Sequence, residues 1–248
     1  MTSTDRQRDG RAPARLLPET GPRPSAPVAA GPVSPTPAAV LRGAAAGPDP
    51  ISRWGGEGGP HCGKGGPPKP RVIGLDLSLT STGIADAQEL IYIRTVKSRN
   101  TGKNVEDAWQ RLQFIDAEIW RTVVRHGPAP ALILIEGPSY GSSGAGTWDR
   151  AGLWWTVVSG LLAQDLPLAV VSPSTRAKYA TGKGNAGKAA VCSAAANRYG
   201  RVFATDDEAD AFVLAAMGLD HLGYPPAVMP AANRAALDKV RWPEGIRT

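Results

Sequence analysis

Two acidic side chains stand inside apolar runs, where an acid is unfavourable. Asp76 lies in the run Val72–Leu77, and Glu136 follows directly on the run Ala131–Ile135. A carboxylate at such a position is costly unless it is paired or binds a metal ion. If the two runs are parallel neighbouring strands, both carboxylates emerge at the same edge of the sheet, where ligands collect in open α/β sheets.

Asp207 and Asp210 head a predicted helix and are three residues apart, so their side chains share one face of it. The same face continues toward the core with the apolar residues Ala211, Leu214 and Met217. This pattern predicts that both carboxylates point inward, toward the two strand-end acids.

The neighbouring acids Asp206 and Glu208 need no functional explanation, because the helix dipole favours acids in a first turn. Thr205 and Glu208 also form a capping-box pattern, with Thr205 as the N-cap residue. The sequence leaves open whether Asp206 takes the place of Asp207 in the acid set.

Four acids from two strands and one helix, with no matching set of histidines or cysteines, provide only oxygen donors. Such a set suits Mg²⁺ or Mn²⁺ rather than zinc. Two such ions about 3.5–4 Å apart would activate water and stabilise the leaving oxygen in phosphodiester cleavage. The predicted chemistry is therefore phosphoryl transfer.

The hydrophobic pattern predicts the elements that must position these acids. Apolar runs indicate five strands, at Val72–Leu77, Ile84–Ala85, Leu90–Ile93, Ala131–Ile135 and Leu168–Val171. Helical spacing indicates four helices, at Val105–Val123, Thr147–Leu162, Ala186–Tyr199 and Asp206–Leu219. The polar, glycine-rich stretch Ser172–Asn185 is interpreted as a loop. A meander of strands followed by alternating helices and strands predicts an α/β fold with a mixed five-stranded sheet.

The first 70 residues differ in composition from the rest of the 248-residue chain. They hold 14 of its 23 prolines and 12 of its 29 glycines. We expect a disordered arm over 1–70, a globular domain over 71–222 and a C-terminal extension over 223–248. The chain has no run of about 18 apolar residues and no apolar leader, which predicts a cytoplasmic protein without a membrane partner.

Four segments resemble, in order and spacing, the RuvC-type Holliday-junction resolvases of the RNase H-like superfamily. They are IGLDLSLTSTGIA (73–85), ILIEGPSYG (133–141), VVSPSTRAKYATGKGNAGKAAV (170–191) and DEADAFVLA (207–215). The resemblance implies an RNase H-like fold with helices on both faces of the sheet, a homodimer, and Mg²⁺-dependent paired nicking of four-way DNA junctions. It implies two Mg²⁺ ions, replaceable by Mn²⁺, held by the catalytic acids Asp76, Glu136, Asp207 and Asp210.

The basic segment Gly182–Ala189 fits most of a nucleotide-binding P-loop pattern but lacks the hydroxyl residue at its end. Ala189 stands where a hydroxyl would hold Mg²⁺, and no buried strand is predicted before the segment, so we expect no nucleotide cofactor. We interpret Lys183 and Lys188, with Arg176 and Lys178 upstream, as contacts to the DNA backbone. The resemblance makes this a junction-contacting loop, and a solvated surface loop is the alternative.

Two groups of aromatic residues extend this interpretation. Tyr140 follows Glu136, where the resemblance implies an aromatic that inserts near the junction crossover; stacking on an unpaired base is worth about 1–3 kcal/mol. An ordinary loop tyrosine is the alternative. Trp148 and Trp155 lie at helical spacing with small residues, and form either a dimer face or part of the core.

The leading hypothesis is a metal-dependent, structure-selective DNA endonuclease that resolves four-way junctions. A nuclease of the same fold that acts on other branched DNA or on hybrids is an alternative, because phosphate contacts carry no information about DNA shape. A catalytically silent nucleic-acid-binding module is another alternative, although the presence of all four acids argues against it.

Overall fold

The computed structural model describes residues 68–88, 91–99, 102, 104–125, 128–138 and 146–246. Nearly all of the expected arm and Tyr140 lie outside these residues. The strands are β1 (Val72–Asp76), β2 (Ser81–Ala87), β3 (Ile91–Lys97), β4 (Leu132–Glu136) and β5 (Leu168–Val171). The helices are α1 (Val105–Arg125), α2 (Thr147–Leu162), α3 (Pro173–Thr181), α4 (Lys188–Tyr199), α5 (Asp206–His221) and the short α6 (Ala231–Arg234), which a 3₁₀ turn at Leu237–Lys239 follows.

The five strands form one mixed sheet in the order β3-β2-β1-β4-β5. The first three strands are an antiparallel meander, and β4 and β5 are added parallel to β1. This is the sheet predicted from the sequence. β1 and β4 are central and almost fully buried, which explains why each is a continuous apolar run up to its last residue.

Helices cover both faces of the sheet, because the side chains of each strand alternate between two cores. Ile73 and Ile133 belong to the core that packs against α1 and α2. Val72 and Leu134 belong to the core on the opposite face, which α3, α4 and α5 cover. The expected arrangement of helices on both faces is confirmed.

Two glycines allow the backbone of α5 to lie directly on the sheet. A Cβ atom on Gly74 would lie 2.1 Å from the carbonyl oxygen of Ala211, and one on Gly83 would lie 2.0 Å from that of Asp207. No side chain fits at either distance, so both positions require glycine. Because Gly83 pairs with Asp76 across the β1–β2 ladder, this close approach places the first turn of α5 beside the end of β1.

The interpretation of residues 172–185 as a loop is wrong for its first part, where Pro173–Thr181 form α3. Ser172 is the N-cap and its Oγ accepts a hydrogen bond from the Thr175 amide at 3.1 Å. Pro173 occupies the first helical turn, and Gly182 ends the helix with a φ of 82°. These are ordinary start and stop signals for a helix. The polar composition of the segment led to the wrong interpretation as a loop.

The capping box predicted at the start of α5 forms in altered geometry. Thr205 Oγ1 accepts from the Glu208 amide at 3.2 Å, as expected. The Glu208 carboxylate accepts from the amide of Ala204, at 2.8 Å, one residue before the N-cap. Both ends of the first turn are therefore satisfied, which fixes the orientation of the acids that follow.

Residues after α5 continue the core on the α5 side of the sheet. Ala236, Leu237 and Val240 are buried in it, and Asn233 Nδ2 donates to the carbonyl of Tyr179 at 2.8 Å. This segment thereby packs against α3 and helps to hold it in place. Within the described ranges, no helix has both the length and the apolar character needed to cross a membrane.

Candidate active site

Asp76 and Glu136 are the last residues of β1 and β4, which lie side by side in parallel. Leu75 pairs with Ile135 one step earlier, so the two carboxylates leave the sheet at the same edge. The condition set in the sequence analysis, that these two strands are parallel neighbours, is therefore met. A cleft of about 250 Å³ opens beside these two acids, and Thr147, Arg150 and Trp154 also line it.

The first turn of α5 brings the two helix acids to this edge. Asp210 is 1% exposed, and Asp207 accepts a hydrogen bond from Ser81 Oγ at the start of β2. Asp210 interacts electrostatically with Asp76, Glu136 and Asp207. The structure therefore gathers the four predicted acids into one cluster, which we call the acid cluster.

Burial, together with the neighbouring negative charges, perturbs the protonation of two of these carboxyls. Burial raises the pKa of Asp76 to about 8, and the charges of Glu136 and Asp210 add to the effect. Burial also raises the pKa of Asp210 to about 6, although the nearby Arg176 guanidinium opposes the rise. Both shifts come chiefly from burial, and the neighbouring carboxylates add to them, so the ionised acids are favoured by a cation beside them.

Arg176 is placed differently from its prediction as a DNA contact. It lies on α3, is 5% exposed, and its guanidinium pairs with Glu136 through Nε and with Asp210 through Nη1. The structure places this guanidinium against two carboxylates of the acid cluster rather than on an exposed surface, and its contact with the DNA backbone stays a prediction. Sequence spacing did not reveal the pairing because the partners are 40 and 34 residues away.

Lys188 begins α4 and stands at the rim of the acid cluster. Its Nζ lies 3.2 Å from Asp207 Oδ1, and the side chain is 60% exposed. Partial burial alone would lower the pKa of Lys188, but Asp76 and Asp207 raise it above its ordinary value. The ammonium is therefore held charged and accessible next to the acids.

Two other predicted DNA contacts, Lys178 and Lys183, lie on α3 and directly after it. Lys183 is exposed in the turn between α3 and α4, and Lys178 is half-buried on α3. That turn follows a helix, in agreement with the prediction that no buried strand precedes it. Tyr140 lies outside the described residues.

Trp148 and Trp155 of α2 do not belong to the core, because they are 90% and 61% exposed. The intervening Gly152 faces α1, where a Cβ atom would lie 3.3 Å from Leu112 Cδ1. Trp154 is half-buried, and its indole Nε1 donates to the carbonyl of Glu136 at 3.0 Å. Sequence reasoning missed this support for the strand end.

The acid cluster has the oxygen donors that a magnesium ion prefers, and Asp210 Oδ2 is buried without a hydrogen-bond partner. The arrangement does not fit an ion as it stands. No three His, Cys, Asp or Glu side chains of the described residues are placed to hold a metal together. The reason is visible in the ion pairs, because Arg176 takes Glu136 and Asp210 while Lys188 takes Asp207.

The chain has a mixed α/β sheet of the RNase H-like fold, with an acidic centre at the ends of two neighbouring parallel strands. A structure of Thermus thermophilus RuvC in complex with a Holliday junction substrate is similar to this chain, with 17% identity, a TM-score of 0.51, and coverage of 70% of this chain and 99% of that one. The similarity establishes a RuvC-like fold.

Two further solved structures align with the chain. They are another T. thermophilus RuvC structure, with 16% identity, a TM-score of 0.48 and coverage of 70% of this chain and 99% of that one, and the yeast mitochondrial Holliday junction resolvase Ydc2, with 18% identity, a TM-score of 0.39 and coverage of 69% and 82%. No protein-family model and no curated protein sequence matches the chain.

Proposed function

We propose that this protein is a metal-dependent, structure-selective DNA endonuclease that resolves four-way junctions by paired phosphodiester hydrolysis. The observation that carries the proposal is the convergence of four acids from two parallel strands and one helix, with the pKa of Asp76 raised to about 8. A structural acid at a strand end has no need of three further acids around it.

Asp76, Glu136, Asp207 and Asp210 would hold the divalent ions, Mg²⁺ in the cell with Mn²⁺ as a substitute. When bound, such ions supply an activated water and stabilise the leaving oxygen of the phosphodiester. Holding them requires that the Arg176 guanidinium leave the carboxylates with which it is paired.

The side chains around the cluster have separate roles in binding DNA. Lys188, Lys183 and Lys178 would contact phosphates, since they stand on the α3–α4 side of the cluster, and Tyr140 would stack on an unpaired base. Arg150 on the rim of the cleft beside Asp76 and Glu136 would orient the strand to be cut. Trp154 keeps the end of β4 in position through the Glu136 carbonyl.

Junction resolution by paired cuts needs two active sites, which a homodimer would supply. The exposed residues of α2 support this part of the proposal. Trp148, Ala151, Trp155 and Leu162 follow one another at helical spacing on the exposed side of the helix. Exposed apolar stripes of this kind mark interaction surfaces.

The test is cleavage of a synthetic four-way junction in Mg²⁺, beside a linear duplex, a replication fork and a flap of the same sequence. Symmetric paired nicks confined to the junction are expected. Equal cutting of forks and flaps would replace junction resolution with a broad activity on branched DNA.

A catalytically silent nucleic-acid-binding module is the second candidate, because Arg176 already forms ion pairs with two of the four acids. Its signature is tight junction binding with no cleavage in either Mg²⁺ or Mn²⁺. Cleavage by the wild-type protein that Asp76→Asn abolishes would reject it.

A further inference from the structure

The Arg176 side chain is the feature of the acid cluster that hydrolysis by metal ions does not require. Its guanidinium is buried and forms one ion pair with a strand-end acid and one with a helix acid. It thereby joins β4 to α5 across the centre of the site. Removing two carboxylates and a guanidinium from water is costly, so the position demands a reason beyond stability.

The geometry makes the guanidinium and a metal ion compete for the same two carboxylates. Arg176 pairs with one oxygen of each acid, Glu136 Oε2 and Asp210 Oδ1. A divalent ion bound between these acids would meet a positive charge that already contacts both of them. At such a distance two like charges repel by several kcal/mol even at an effective dielectric constant near 20.

We propose that Arg176 is an exchangeable internal counter-ion, which holds the acid cluster together in the metal-free protein and which a divalent ion must displace in order to bind between Glu136 and Asp210. The inference rests on the proposed function, since it concerns the ion that the nuclease would use. Metal affinity of the protein is then set by competition with its own side chain. The remaining oxygen of Asp210, Oδ2, is buried and without a hydrogen-bond partner, so it is available when the exchange occurs.

The first experiment measures Mn²⁺ binding to the DNA-free full-length protein by isothermal titration calorimetry. Arg176→Gln removes the competing charge, and we expect it to bind Mn²⁺ about tenfold more tightly than wild type. Arg176→Lys keeps a charge but cannot bridge both acids, so its affinity should fall between the two. Lys239→Gln is the control, because it removes one exposed positive charge from the 3₁₀ turn after α6 and leaves the acid cluster intact; its affinity should equal that of wild type.

The second experiment needs no variant, which protects the test if Arg176→Gln fails to fold. In wild-type protein the Nε proton of Arg176 donates to Glu136 and is buried, so its NMR signal should be resolved and slow to exchange with water. Titration with Mg²⁺ should shift this signal and accelerate its exchange, while the Nε signal of Arg71, buried against Asp86, stays unchanged.

Equal or weaker Mn²⁺ affinity in Arg176→Gln, or an Arg176 signal that Mg²⁺ leaves untouched at saturation, would overturn the inference. The nuclease proposal fails separately. Junction cleavage by a wild-type protein whose Mn²⁺ affinity matches that of Arg176→Gln would retain the nuclease and reject the counter-ion. Tighter Mn²⁺ binding by Arg176→Gln without cleavage of any DNA would retain the counter-ion and reject the nuclease.

Discussion

Asp76 and Glu136 end adjacent parallel strands at the same level of the sheet, with Leu75 and Ile135 paired one residue before them. Their separation is therefore set by the strand spacing rather than by flexible loops. Helix α5 packs onto the sheet beside them because Gly74 and Gly83 leave room for its backbone. A site built in this way on rigid elements has little freedom to adjust when one acid is changed.

Asp76→Asn and Glu136→Gln should each reduce junction cleavage by at least about 100-fold while leaving junction affinity nearly unchanged, because each removes one charged ligand from an otherwise intact site. The measurement is the single-turnover cleavage rate in Mg²⁺ together with junction binding in its absence. Asp165→Asn is the matched control, because this exposed acid follows α2 in a left-handed conformation that asparagine tolerates, with φ at 53°. A variant that still cuts at the wild-type rate would remove its acid from the ligand set.

The stability of the metal-free protein should fall as the pH rises from about 6.5 to about 8.5. The pKa of Asp76 is raised from 3.8 to about 8 by burial and by its acidic neighbours, so the folded protein holds a proton that the unfolded chain has already released. A carboxyl of this kind contributes stability at low pH and loses it as the pH passes through its folded-state pKa.

Thermal unfolding in EDTA across this pH range measures the effect. Asp116 on α1 provides a second buried carboxyl, with a pKa raised to about 6 by burial, which is largely ionised before the range begins. Asp76→Asn should flatten the dependence, and Asp116→Asn should leave its slope in place. An unchanged slope in Asp76→Asn would show that another group carries the titration.

Lys183→Ala should weaken junction binding and reduce the slope of log affinity against log salt by about one, because one phosphate contact is lost. Lys183 is exposed in the turn between α3 and α4, so its removal does not disturb packing. Fluorescence anisotropy across a salt series measures both quantities. Arg121→Gln is the control, since Arg121 is exposed on α1 on the other face of the sheet. Equal salt slopes for wild type, Lys183→Ala and Arg121→Gln would show that Lys183 makes no phosphate contact.

Local patterns predicted most of the fold. The buried runs gave β4 and β5 within one residue, and the helical spacing gave the limits of α2. Helix α3 was missed because it is only nine residues long and its short hydrophobic stripe lies in a polar segment. Its Ser172-Pro173 start and Gly182 end were the signals available.

The acid cluster was predictable because an acid in an apolar run is visible in one segment at a time. The pairing of Arg176 with two acids was not, because it depends on where α3 packs relative to β4 and α5. Ser81 illustrates the same limit, since its bond to Asp207 joins residues 126 positions apart. Contacts between elements follow from the fold, and only a structure displays them.

Trp155→Glu should convert a dimer to a monomer if α2 forms the subunit interface, because a charge in the middle of an apolar stripe is left desolvated and unpaired. Light scattering after size exclusion measures the mass directly. Val105→Glu, at a still more exposed apolar position at the start of α1, is the control and should remain dimeric. A dimer that survives the Trp155 change would place the interface elsewhere.

Truncation should reveal where the folded domain begins, which we propose is Arg71. The Arg71 guanidinium is buried, pairs with Asp86 at 2.7 Å, and donates to the carbonyls of Thr122 and Val123 at 2.7 and 2.9 Å. It ties the start of β1 to β2 and to the end of α1. A chain beginning at residue 68 keeps every one of these bonds and should unfold at nearly the temperature of the full chain.

A chain beginning at residue 72 loses the guanidinium and leaves Asp86 buried without its partner, so its free energy of unfolding should drop by about 3–5 kcal/mol. Arg71→Met in the full chain removes the same guanidinium without shortening the chain, and its free energy of unfolding should drop by a similar amount. Chemical denaturation of the four proteins measures the differences. If the chain beginning at residue 68 is as unstable as the one beginning at 72, residues before 68 contribute to the fold and the proposed boundary is wrong.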